Sequence, residues 1–144
     1  MAKYVTSVAT PWAPEVAFAY MADVTHFAAW DPGVKRAVRV TGEGGVGTAY
    51  ELTVVAGGTT VMRYEVTAFE APRRLLLVAK TAFLESIDEI RVDPTPQGSR
   101  VTYDAQLKLK GPLGLFDPLL RLAFRRIGDR AAEGLRRALQ GVRA

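Results

Sequence analysis

RVTYDAQLKL at residues 100–109 and DPLLRLAFRRIGDRAAEGLRRALQ at residues 117–140 have different hydrophobic periods, and the change between them decides the fold. In the first stretch Val101, Tyr103, Ala105 and Leu107 share one side while Asp104 and Lys108 take the other, the pattern of a half-buried strand. In the second, Phe116, Leu120, Ala123, Phe124, Ile127, Ala131, Gly134, Leu135 and Ala138 fall on one face, and Arg125, Asp129, Arg136 and Gln140 lie opposite. Asp117 suits an N-cap, Pro118 the first helical position and Gly141 a stop, so one long helix is expected. A helix with one apolar stripe needs a sheet to cover that stripe.

Working outward, residues 3–10, 34–41, 48–55, 60–69, 74–80 and 83–92 also alternate or carry β-branched and aromatic side chains, which makes seven strands with 100–109. Between the first two, Val16, Ala19, Tyr20 and Val24 recur at helical spacing after Pro14. Thr25 is placed to cap a second short helix through Phe27 and Trp30, before Asp31-Pro32-Gly33 turns the chain. The breaks at 42–47, Ala56-Gly57-Gly58, Ala71-Pro72-Arg73 and 94–98 are short enough that sequential antiparallel pairing is the economical topology. The expectation is an α+β fold: a seven-stranded curved antiparallel sheet around a long C-terminal helix, with two short helices between strands 1 and 2. Residues 1–144 are read as a single domain.

Strand parity predicts which side chains face the helix: Val38 and Val40; Tyr50, Leu52 and Val54; Met62, Tyr64 and Val66; Leu75 and Leu77; Ser86, Asp88 and Ile90; and the odd positions 101–107. Glu51, Thr53, Arg63, Glu65, Glu89, Arg91, Asp104 and Lys108 are then left to water. A bulge would invert part of this set.

Composition narrows the chemistry. With no cysteine and His26 as the only histidine, thiolate catalysis, Cys/His zinc sites and disulfides are excluded. No cofactor is expected. Nothing resembles a membrane span or a signal peptide, so a cytoplasmic protein without integral membrane association is expected. The net charge of +4 is carried by the C-terminal segment, which has eight basic and three acidic residues from Lys110 onward. Its arginines suit anionic lipid or nucleic acid. Arg125, Asp129, Glu133 and Arg137, however, alternate sign at four-residue spacing, which reads as a solvated helix face, and no nucleic-acid partner is expected.

Residues 42–47 satisfy G-x-G-x-x-G but precede a strand pattern rather than a helix, so they read as a hairpin loop. Asp88, placed inward by parity, is the one candidate for catalysis, since burial would raise its pKa and suit it to proton transfer. Tyr50, Tyr64 and Tyr103 combine large rings with single hydroxyls, the mix by which an apolar cavity orients a ligand, although core packing accounts for such residues equally well. Trp30 reads as an anchor for the second helix or a cover for the cavity mouth. His26 reads as a decoration on a short helix, and the small residues of the long helix as close packing on the sheet or as room for a ligand.

The order of elements resembles the SRPBCC or START-like (Bet v 1-like) superfamily, in particular its polyketide cyclase/dehydrase and lipid-transport branch. So do the runs at 13–18, Ala22-Asp23 ahead of Trp30-Asp31-Pro32, 46–48, 65–75 and 98–103. That resemblance implies a helix-grip fold and a hydrophobic small molecule (lipid, quinone or polyketide-like) held between sheet and helix. Trp30, Tyr50, Leu52, Met62, Tyr64, Asp88, Tyr103, Phe124 and Ile127 are the expected contacts, in a monomer or weak homodimer. A carrier or binding protein is the first reading. A cyclase or dehydratase using the acid and tyrosines is the second, and a regulatory interaction module the third. The cyclases it is similar to carry a pocket arginine and tyrosines. Here no arginine is expected on the concave side, and Ala37 stands where a tyrosine is common.

Overall fold

The computed structural model describes residues 1–55 and 58–140, and the backbone of 142 and 143. Strand β1 (Ala2–Thr10) leads through Pro14, which opens α1 (Pro14–Ala22), to a 3-10 turn (Val24–His26) and the short α2 (Phe27–Trp30). Then come β2 (Val34–Thr41), β3 (Ala49–Val55), β4 (Thr59–Glu70), β5 (Arg74–Lys80), β6 (Leu84–Thr95) and β7 (Gly98–Leu109). A second 3-10 turn (Gly111–Phe116) runs into α3 (Asp117–Ala138).

The strands form one antiparallel sheet in the order β2-β3-β4-β5-β6-β7-β1, a meander closed by the return of the first strand to the last. An eighth strand of two residues (Val142–Arg143), β8, adds to the free side of β1. The expected break at Ala56-Gly57 and the helix stop at Gly141 lie outside the described residues.

Alternation dictates the core as parity predicts over β3 to β7. Val66, Leu75, Leu77, Ile90 and Val101 are fully buried, each worth about 2 kcal/mol of apolar burial. In β2 the prediction fails. Register shifts between Val34 and Arg36 and between Arg39 and Thr41 turn Val38 and Val40 outward, where both are exposed. The same bulges set Ala37 opposite Leu52 and Arg39 opposite Tyr50, so an arginine does lie in the row of the concave residues, at its exposed rim.

Two glycines fix where α3 lies. A Cβ on Gly128 would stand 2.3 Å from the ring of Tyr4, and one on Gly134 would stand 1.7 Å from the carbonyl oxygen of Trp30. The helix is therefore held against β1 at one glycine and α2 at the other. Thr10 Oγ1 donates to the carbonyl of Leu139 at 2.7 Å and ties down its C-terminal end.

Both expected caps are corrected. Asp23, not Thr25, accepts the Thr25 N–H at the 3-10 turn. Asp117 does not cap α3, because the preceding turn continues into the helix. Its carboxylate pairs instead with the Met1 ammonium and with Arg121. Of the predicted stripe only Ala131 and Leu135, in the C-terminal half, are deeply buried, joined by Gly128 and Ala132, which the stripe did not include. Leu120, Phe124 and Ile127 are half-buried, while Phe116 and Ala123 are exposed.

Candidate functional site

Inside the sheet's concave face the chain buries one group of polar atoms among apolar side chains. β6 and β7 pair so that Asp88 lies opposite Ala105 and Ile90 opposite Tyr103. This brings the Tyr103 hydroxyl within reach of the carboxylate diagonally across the ladder, and it donates to Asp88 Oδ2 at 2.9 Å. One strand away, the hydroxyls of Tyr64 and Ser86 share a hydrogen bond of 2.8 Å. All four residues are buried.

Among the described residues Asp88 pairs with no cation. Burial, with smaller contributions from the charges of Asp31 and Asp104, raises its pKa to about 7 against the pull of the Tyr103 hydrogen bond. Asp31, which the sequence presents only as part of a turn, is the residue that sequence reasoning missed. Its Oδ1 accepts the Gly33 N–H at 2.8 Å, yet burial still raises its pKa to about 6. Its charge also acts on Tyr64 and Tyr103, whose hydroxyls are held above the usual phenol range, chiefly by burial. The signal was an aspartate directly after a buried tryptophan and before Pro32-Gly33, where Asx-turn chemistry hides the direction of the second carboxylate oxygen.

Trp30 is buried, with its ring edge-on to Tyr103 at 5.4 Å and tilted on Phe27 at 4.9 Å, which is the anchoring role. Its Nε1 has no hydrogen-bond partner among the described residues. A buried donor left unpaired costs about 1–3 kcal/mol unless a ligand or water accepts from it.

Of the expected contacts, Tyr50, Leu52 and Met62 are buried on β3 and β4, with Tyr64, Asp88 and Tyr103 alongside. Phe124 packs on the edge of this core, and Ile127 faces the Asp31-Pro32-Gly33 turn. A cleft of about 550 Å³ opens between α2, the turn after it and the end of α3. Among its lining residues are Trp30, Asp31, Val34, Gly134 and Arg137. Trp30 alone of the nine expected contacts lines this cleft, and the others lie on the concave face or against it. The tight fit of Gly134 on Trp30 shows that this small residue serves close packing.

His26 is structural. It stacks on Tyr20 at 4.5 Å, its Nδ1 bonds the Tyr20 carbonyl, and Nε2 lies 3.6 Å from Asp23. The glycine loop at 42–47 is a hairpin connection leading into β3, with Gly42 at φ +89° packed so closely on Thr48 that a Cβ would stand 2.6 Å from it.

The family described as polyketide cyclase/dehydrase and lipid transport matches residues 1–140. The chain belongs to that family. Its fold is similar to a START superfamily protein from Mycobacterium smegmatis (TM-score 0.76, 14% identity, 96% of each chain covered). A Thermus thermophilus protein is similar in the same way (TM-score 0.74, 17% identity, 96% of each chain). So is the di-domain ARO/CYC StfQ from the steffimycin biosynthetic pathway (TM-score 0.71, 14% identity), where 94% of this chain covers 48% of that one. No curated protein matches the sequence. At these identities the likeness shows the START-like, helix-grip fold. Among the described residues no helix is long and apolar enough to cross a membrane.

Proposed function

We propose that this START-like domain binds a hydrophobic small molecule with one oxygen-bearing end, as a carrier or binding protein. One observation carries the reading: the buried polar cluster of Asp88 with Tyr103 and Tyr64 with Ser86, set on a concave face otherwise lined by Tyr50, Leu52, Met62, Val66 and Leu77. An apolar wall with a few convergent polar atoms is how small-molecule sites combine affinity with orientation. Asp88, about half protonated near neutral pH, donates to a ligand carbonyl in its acid form and accepts from a hydroxyl in its ionised form. The Trp30 N–H supplies a further unused donor. Lipid, quinone and polyketide-like chains all present such an end. Native mass spectrometry of the protein after incubation with a lipid extract tests the proposal: a retained small-molecule adduct is expected, and a bare protein mass under all conditions contradicts it.

A second reading, cyclisation or dehydration of a polyketide-like substrate, draws on the value of about 7 for Asp88, which suits a group that both takes up and releases a proton. On this reading Asp88 is the acid and base while Tyr64 and Tyr103 orient the chain. Turnover of a linear poly-β-ketone analogue should vanish in Asp88→Asn, and unchanged turnover rules the role out.

A further inference from the structure

The N-terminal half of α3 exposes apolar side chains on a face that no part of the described fold covers. Leu119 is 67% exposed and Leu122 61%, and the preceding turn adds Leu115 at 84% and Phe116 at 56%. Leu119 and Leu122 lie three residues apart on the outward side, while the half-buried Leu120, Phe124 and Ile127 take the inward side. This half of the helix is thus apolar in both directions, although packing needs only one of them. Phe83, in the β5–β6 hairpin, is also 67% exposed, and its carbonyl accepts the Lys110 N–H at 2.8 Å, just ahead of the turn that leads into the helix. Exposed apolar area of this kind marks an interaction surface.

The border of the patch is cationic. Arg121 and Arg125 line one flank of the helix, bounding with Lys3 a cleft of about 360 Å³, and Arg126 follows Leu122 by one turn on the outward stripe. All three arginines are exposed. From residue 108 to 126 the chain carries five basic residues (Lys108, Lys110, Arg121, Arg125, Arg126) against one acid, Asp117; Arg121 pairs with that acid and donates to the Met1 carbonyl, so Arg125 and Arg126 are the cations that border the leucines.

We propose that this face docks the domain on an anionic lipid bilayer, with Leu119 and Leu122 entering the headgroup boundary and Arg125 and Arg126 held by anionic headgroups. The occupant follows from shape and charge. Leucines on an exposed helix flank suit a deformable apolar surface. A second copy set against the same face would oppose arginine to arginine. Leucine and phenylalanine bordered by arginine is the composition of a helix lying in a membrane interface, and each basic side chain near an anionic surface strengthens binding. On this proposal the exposed ladder of Arg125, Asp129, Glu133 and Arg137 remains a solvated face along most of its length, and its first turn borders uncovered leucines. The proposal holds whether or not the interior carries a ligand.

Vesicle flotation tests it, using the whole chain with phosphatidylcholine vesicles and with vesicles about one-third phosphatidylglycerol. Binding to the anionic vesicles only is expected, weakening as salt is raised. Leu119→Glu with Leu122→Glu should lower partitioning about tenfold or more, and Arg125→Glu with Arg126→Glu likewise. These side chains are exposed, so circular dichroism and thermal midpoints should match wild type, and adduct formation in native mass spectrometry should be unmoved. Failure to float with anionic vesicles overturns the proposal, as does equal binding to neutral ones. A dimer in sedimentation that the leucine variant dissociates, without vesicle binding, assigns the patch to self-association and also overturns it.

Discussion

Replacing Asp88 by Asn keeps the side chain's size and its acceptor for the Tyr103 hydroxyl while abolishing its proton equilibrium. Burial moves this carboxyl from 3.8 to about 7. At 1.36 kcal/mol per tenfold, that difference is worth about 4 kcal/mol. The folded protein keeps a proton that the unfolded chain releases, so the stabilisation is complete below about pH 4 and is lost as pH rises, nearly all of it by about pH 7. For a domain with a total stability of about 5–15 kcal/mol this is a large fraction. The assay is urea unfolding followed by tryptophan fluorescence at steps from about pH 4 to about pH 8, for wild type and variant. Asp31 is raised to about 6 and tilts the wild-type profile the same way, while Glu89, Asp117 and Glu133, lowered by their arginines and, at Asp117, by the Met1 ammonium, tilt it oppositely. The difference between the two proteins is therefore the quantity to read. It should grow with pH toward about 4 kcal/mol, leaving the variant the more stable protein at about pH 8. Parallel profiles would refute the claim that Asp88 is buried without a cation.

Three further outcomes follow from the packing. Tyr103→Phe removes the donor that holds the Asp88 pKa down, so the carboxyl resonance of Asp88 followed by NMR should titrate at higher pH than in wild type, with a stability loss of about 1 kcal/mol. Gly134→Ala places a methyl group against the Trp30 carbonyl and should cost about 3 kcal/mol in urea unfolding, whereas Gly114→Ala meets nothing and should stay within about 0.5 kcal/mol of wild type. Thr10→Val unpairs the Leu139 carbonyl at the end of α3 and should lower stability by about 1 kcal/mol in the same assay.

The fold was legible because two periods alternate cleanly along the chain. Over β3 to β7 a repeat of two puts Tyr50, Met62, Leu77, Asp88 and Tyr103 on the correct face, because the one register shift there, between Val66 and Ala68, falls after the inward residues of β4. β2 was misread because its two register shifts leave no trace in Val34 to Thr41, where Val38 and Val40 continue an apparently regular alternation. The site was half legible. Parity finds Asp88, but Asp31 sits in a turn, and turn residues have no period from which to infer where a carboxylate points. The apolar stripe of α3 shows the complementary limit: spacing defines a face, yet only tertiary packing decides whether that face is covered, and Phe116 and Ala123 are not.

A crystal structure of the protein grown after exposure to a lipid extract tests the central claim most directly. Elongated density is expected between α3 and strands β3 to β5, with its polar end in hydrogen-bond range of Asp88 or the Trp30 indole nitrogen. An interior filled by protein side chains alone, with Trp30 Nε1 bonded to a protein acceptor, would contradict it.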